Sequence, residues 1–95
     1  MLISASSTIR IRDQIIAAQL EDGTVALNVA SGEYYNLNPM ASWIWGKLGE
    51  QQQAESLLNA LLETYDVDRE RGWRDLTRFI QQMDDAGLIL VQDAA

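Results

Sequence analysis

The sequence predicts an α+β domain in which a three-stranded antiparallel meander precedes three helices. Three observations predict it: an Asp-Gly pair between two alternating apolar runs, a second glycine turn leading into "YYNL", and three later stretches whose apolar residues recur at helical spacing. The chain is expected to form one domain over residues 1–95, since 95 residues support a single modest core.

Taken in order, Met1 to Ser7 reads as a loose N-terminal segment, and "TIRIR", Thr8 to Arg12, as a short strand. In "IIAAQLEDGTVALN", Asp22-Gly23 suits a two-residue hairpin loop, because both positions of such a turn need positive φ. That register sets Leu20 opposite Val25, Ala18 opposite Leu27 and Ile16 opposite Val29, so that one face is wholly apolar. For the next turn, a two-residue loop at Ser31-Gly32 would put Tyr34 and Asn36 on that face. A three-residue loop of Ala30, Ser31 and Gly32 puts Tyr35 and Leu37 there and gives Gly32 the left-handed position, and it is the expectation. Val25, Leu27, Tyr35 and Leu37 then face inward and Tyr34 and Asn36 outward. The third strand of the meander, Glu33 to Leu37, becomes a sheet edge.

Asn38-Pro39 predicts a helix start, Asn as the cap and Pro in the first turn, and Ala41, Ile44, Trp45 and Leu48 form its stripe as far as Gly49. A second helix carries Ala54, Leu58, Leu61, Leu62 and Tyr65, although "EQQQ" before it offers no good cap. Asp68 caps a third, whose stripe of Leu76, Phe79, Ile80 and Met83 stops at Gly87, and a short apolar run, Leu88 to Val91, follows.

With no cysteine and no histidine, the chain lacks disulfides, thiolate nucleophiles, imidazole bases and the usual nitrogen and sulfur metal ligands. Neither a cofactor nor a catalytic residue is expected. Fourteen acidic against seven basic side chains give a net charge of −7, which repels nucleic-acid backbones and anionic membranes. No run of eighteen apolar residues and no basic, apolar leader occurs, so a soluble, cytoplasmic protein is the expectation.

The acidic pairs Asp66 with Asp68 and Asp84 with Asp85 read as solvated helix ends, since a calcium loop needs more oxygen ligands and a turn glycine. Arg69, Arg71, Arg74 and Arg78 cluster on the third helix, which a DNA-binding regulator would use for recognition. Glu70 and Asp75 interrupt that cluster, and Arg74 and Arg78 have acidic neighbours at helical spacing. Trp73 lies about 60° off the centre of the third helix's stripe, on the flank of Thr77, and reads as core-edge packing or as the wall of a groove. Tyr35 suits the core, whereas Tyr34 belongs to the other face of a strand whose outer backbone groups invite a further strand.

"VALNVASGEYYNLNPMASWIWGKL", the leucine-striped helix ending "ETYDVD" and the last helix ending "FIQQMDDAGLI" together resemble the PqqD-like family, also called the RiPP recognition element. The likeness runs from about Ile15 to Leu90 and rests on the ordered combination of "SGEYYNLN", "IW" and "AGLI". It implies a winged helix-turn-helix-like domain that is not a catalyst and that binds the leader of a ribosomally made precursor peptide. The leader would add as a strand beside Glu33, Tyr34, Tyr35, Asn36 and Leu37, facing Trp73, Leu76, Thr77 and Ile80 of the third helix. Within the family the pattern is most similar to free-standing leader-binding proteins of lasso-peptide clusters. These work beside a transglutaminase-like leader peptidase and a macrolactam-forming synthetase. A PqqD-type chaperone for another peptide-modifying enzyme is the nearest alternative.

Overall fold

Among the described residues, 3–93 of the computed structural model, six strands and three helices follow one another along the chain. They are β1 (Thr8–Ile11), β2 (Ile15–Leu20), β3 (Gly23–Asn28), β4 (Tyr34–Leu37), α1 (Pro39–Lys47), β5 (Gln52–Gln53), α2 (Ala54–Thr64), α3 (Arg69–Asp85) and β6 (Ile89–Gln92). The expected meander is β2-β3-β4. A second antiparallel sheet, β5-β1-β6, joins the strand expected near Thr8 to the apolar run before the C-terminus. The fold is therefore α+β, with the three helices in the expected order. Ile9, Ile44, Leu57, Leu61, Leu76, Ile80, Leu88 and Ile89 are almost wholly buried and draw on both the helices and the second sheet.

The first hairpin differs from expectation by two residues. Its loop is Glu21-Asp22 and its last pair is Leu20 with Gly23, so Ala18 faces Val25 and Ile16 faces Leu27. Gly23 is drawn into β3 because the strand passes the end of β4 too closely for a side chain. Its φ is 149°, and a Cβ there would run into the carbonyl oxygen of Leu37.

The second turn has four residues, not three, and this shift by one changes which face of β3 is which. Asn28 is the cause. Its Oδ1 accepts the N–H groups of Ala30 (2.9 Å) and Ser31 (3.2 Å), and its carbonyl accepts Gly32 N–H (2.8 Å), so the turn begins one residue early. Tyr35 and Leu37 point inward as expected, but they stand beside Ala26 and Thr24. Val25 and Leu27, expected inward, share the outer face with Asn36 and Tyr34.

That outer face is apolar and uncovered. Ile16 is 58% exposed, Leu20 60%, Val29 56% and Tyr34 66%, with Val25 and Leu27 half-buried between them. An antiparallel sheet that packs on one side normally turns polar residues to the other. Here both faces of the meander are apolar, and α1 covers only one.

The helices start where the sequence places them. Asn38 Oδ1 accepts Ala41 N–H at 2.8 Å and Asp68 Oδ1 accepts Arg71 N–H at 2.8 Å. The second helix has no side-chain cap, and the chain's own beginning supplies the acceptors. The carbonyls of Ser7 and Ala5 accept Ala54 N–H (2.8 Å) and Glu55 N–H (2.9 Å). Of the segment expected to be loose, Met1 and Leu2 lie outside the described residues. Residues 4–7 form a hydrogen-bonded turn in which Ser7 is fully buried and donates to Asp93 (3.1 Å).

The close approach at β4 generates a stability prediction. Gly32 also has positive φ (78°) but open space around it, so Gly32→Ala should cost only the left-handed penalty, roughly 1–2 kcal/mol. Gly23→Ala adds a backbone clash that cannot relax and should lower the urea midpoint clearly further. Equal or smaller loss at Gly23 would contradict the register described.

Candidate functional site

Paired residues in an antiparallel ladder alternate between those that exchange backbone hydrogen bonds and those that do not. Asn28 N–H donates to Glu33 O at 2.9 Å, and this sets the phase for β3 and β4. Ala26/Tyr35 and Thr24/Leu37 are then the bonded pairs, and the N–H and C=O of Tyr34 and Asn36 turn away from β3. Among the described residues no strand lies on that side, since β4 ends the order β2-β3-β4.

Beside this edge, β4, α1 and α3 enclose a cleft of about 290 Å³. Its floor is apolar, built from Leu37, Met40, Ala41, Ile44, Phe79 and Met83. Its rim carries Asn36 and Asn38 on one side and Asp75, Arg78 and Gln82 on the other. The volume sits near the lower end of the roughly 300–1,000 Å³ typical of ligand pockets. What the walls offer is an apolar floor for a few side chains next to unpaired backbone.

Local sequence fixes both walls. The Ser42 hydroxyl donates to Leu37 O at 3.2 Å and ties α1 to the end of β4. On the far wall Gly72 lets α3 approach α2, where an added Cβ would stand 3.1 Å from Leu62 Cδ2 and 3.3 Å from Leu58 Cδ1. With α3 seated there, Leu76 and Ile80 turn into the core, and the row Asp75, Arg78, Phe79, Gln82, Met83 turns toward β4.

The expected site residues divide accordingly. Asn36 and Leu37 line the cleft. Tyr34 stands on the outer face, and Tyr35, half-buried, donates its hydroxyl to Glu33 Oε2 at 3.2 Å. Trp73, Leu76, Thr77 and Ile80 do not line it. Leu76 and Ile80 are buried, at 1% and 0% exposure, and the Thr77 hydroxyl donates to its own helix at Arg74 O (3.1 Å). Trp73 lies about 120° around α3 from Phe79 at about 100° per residue. It borders a different cavity with Ala5, Leu58, Arg69 and Glu70. Met40 carries no expectation from the sequence, and Ala41, Ile44, Phe79 and Met83 are expected only as core residues. Their periodicity is visible in the sequence, but the side that meets β4 depends on how α3 docks on α2.

The arginines of α3 do not make a basic face. Arg69 lies 4.0 Å from Glu55, Arg71 3.8 Å from Asp75 and Arg74 3.6 Å from Glu70. Arg78, expected to find an acidic neighbour, has no carboxylate within 4.0 Å among the described residues. No group of three acidic side chains gathers as a metal site among those residues, and no helix is long and apolar enough to cross a membrane.

The profile of the PqqD family, described as coenzyme PQQ synthesis protein D, matches residues 23–89, a span that holds every residue of the cleft. The chain belongs to the PqqD family. Two solved structures share its fold. TbiB1 in complex with the TbiA(beta) leader peptide is 31% identical with a TM-score of 0.79, over 84% of this chain and 93% of that one. Lasso peptide synthetase B1 complexed with the leader peptide is also 31% identical, with a TM-score of 0.76, over 86% of this chain and 96% of that one. No curated protein matches the chain.

In this PqqD-family chain the phenol of Tyr35 is pushed above its ordinary 10.0, first by its packed surroundings and then by the Glu33 carboxylate that accepts its hydrogen bond. The neutral hydroxyl is therefore the form beside β4 at all physiological pH values. In an NMR titration its midpoint should lie above 10.0, and Glu33→Gln should move it down. A Tyr35 midpoint at or below 10.0 would contradict the contact.

Proposed function

We propose that this chain is a non-catalytic adaptor that binds the leader of a ribosomally made precursor peptide as an added strand along β4, over the cleft toward α3. It then presents the peptide to a leader peptidase in lasso-peptide biosynthesis, ahead of the macrolactam synthetase. The observation that carries the first part is the pair of outward-facing residues, Tyr34 and Asn36, directly beside an apolar cleft. Both solved relatives are held with leader peptides, which supports the same class of guest here.

The energetics explain why edge and cleft are needed together. Backbone bonds to Tyr34 and Asn36 contribute about 0.5–1.5 kcal/mol each. Ordering a flexible guest opposes them at about 1–2 kcal/mol per residue. Pairing alone therefore falls short of the cost of ordering the guest, and it does not distinguish one sequence from another. Guest side chains that alternate inward meet Leu37, Met40, Ile44, Phe79 and Met83, and each large one buried there adds roughly 1.5–3 kcal/mol. The edge sets register and direction, while the cleft supplies affinity and choice.

The uncovered outer face supports the second part. A strand added beside β4 extends the apolar surface of Ile16, Leu20, Val25, Leu27 and Tyr34 with its own outward side chains. A peptidase docking on that face would touch adaptor and guest together, and so would bind the loaded adaptor in preference to the empty one.

Asn36→Pro removes an outward N–H and leaves the ladder to β3 intact, because Asn36 is not one of the bonded pairs. At equal foldedness it should weaken binding of the cognate leader by about three- to tenfold or more. Normal binding by folded Asn36→Pro protein would refute strand addition at this edge. Ile16→Asp, on the outer face, should leave leader affinity unchanged and abolish the adaptor's stimulation of leader cleavage by the peptidase. Full stimulation would remove that face from the account.

A further inference from the structure

We propose that Arg78 is a specificity-determining residue of the cleft, and that it selects guests carrying an aspartate or glutamate beside the apolar side chain that enters the cleft. The inference rests on the strand-addition reading and adds to it a chemical requirement on the guest.

The argument begins with the spacing of charge along α3. At i±4 from Arg78 stand Arg74 and Gln82, and at i+3 stands Gln81, so none of these positions offers a carboxylate. The remaining neighbour, Asp75 at i−3, lies with Arg71 at 3.8 Å. The other three arginines of the helix each have a carboxylate within 4.0 Å, and Arg78 alone among them has none. It is also the only arginine of α3 on the cleft, where it shares the rim with Asp75 and Gln82 and rises beside Phe79 of the floor.

A lone cation on this rim acts differently from one elsewhere on the molecule. The chain carries a net charge of −7, so its average field disfavours an acidic peptide. Arg78 reverses that preference at one place. A guest strand along β4 puts alternate side chains over the floor and its remaining polar atoms at the mouth, within the sweep of a guanidinium that can hold a carboxylate with two parallel bonds. The apolar floor on one side reduces solvent around such a pair, so it should count for more than a fully exposed one. A lysine at the same guest position would meet Arg78 as a like charge.

The test uses a fully randomised peptide library displayed on phage, selected against the folded protein and against Arg78→Glu and Arg78→Gln variants. Because Arg78 is exposed, both variants should keep the wild-type fold, which circular dichroism checks. Wild type should enrich sequences in which an acidic residue stands at a fixed offset from an apolar one. Arg78→Glu should enrich lysine or arginine at that offset, and Arg78→Gln should show no charge preference there. Synthetic peptides from the wild-type selection should bind Arg78→Gln about three- to tenfold more weakly, with the difference shrinking at high salt. If all three proteins select the same apolar anchor with no charge at a fixed offset, Arg78 is merely solvated and the inference is overturned. Selected peptides that leave the amide signals of Tyr34 and Asn36 unmoved would overturn the strand-addition reading itself.

Discussion

An antiparallel ladder leaves every second residue of its outermost strand with both backbone groups unpaired, and in β4 those residues are Tyr34 and Asn36. Everything proposed about function depends on that phase. It is fixed by one side chain: Asn28 holds the N–H groups of Ala30 and Ser31 and so starts the turn where Asn28 and Glu33 become a bonded pair. A turn one residue shorter would flip β3 against β4. Val25 and Leu27 would then face the core, in place of the small Ala26 and Thr24 that let the meander lie close to α1.

The same geometry explains why a chain with so little catalytic chemistry has a defined site. Neither wall of the cleft holds a nucleophile with a neighbouring base or a cluster of acids among the described residues. What the walls hold is unpaired backbone on one side and apolar side chains on the other, a combination suited to an extended peptide. The meander is apolar on both faces, so the added strand would have one row of side chains in the cleft and the other in a surface open to a second protein. In the proposed function, binding and presentation would both draw on this one sheet.

Much of this was legible in the sequence because it depends on local chemistry. Asn38-Pro39 and Asp68 start helices for reasons contained within a few residues, and the buried stripes of α1 and α3 follow from their period. The edge strand and the outward turn of Tyr34 and Asn36 were readable too. The facing of β3 was not, because the carboxamide of Asn28 competed with the glycine that normally sets the loop. Likewise Asp22-Gly23 reads as a turn until β4 is in place and only glycine can pass the Leu37 carbonyl. Which flank of α3 lines the cleft beside β4 was beyond local reading. Phe79 and Met83 belong to the apolar stripe while Trp73 and Thr77 flank it, and only the docking of Gly72 on Leu58 and Leu62 decides which of them meets β4.

Residue-resolved amide hydrogen exchange on the free and leader-bound protein tests the central claim most directly. In the free protein Tyr35 and Leu37, bonded to β3, should exchange slowly, while Tyr34 and Asn36 exchange fast; leader should slow Tyr34 and Asn36 and leave the other two as they were. Tyr34 and Asn36 amides that are already protected without leader, or that stay unprotected with leader saturating, would contradict an open edge that receives the guest.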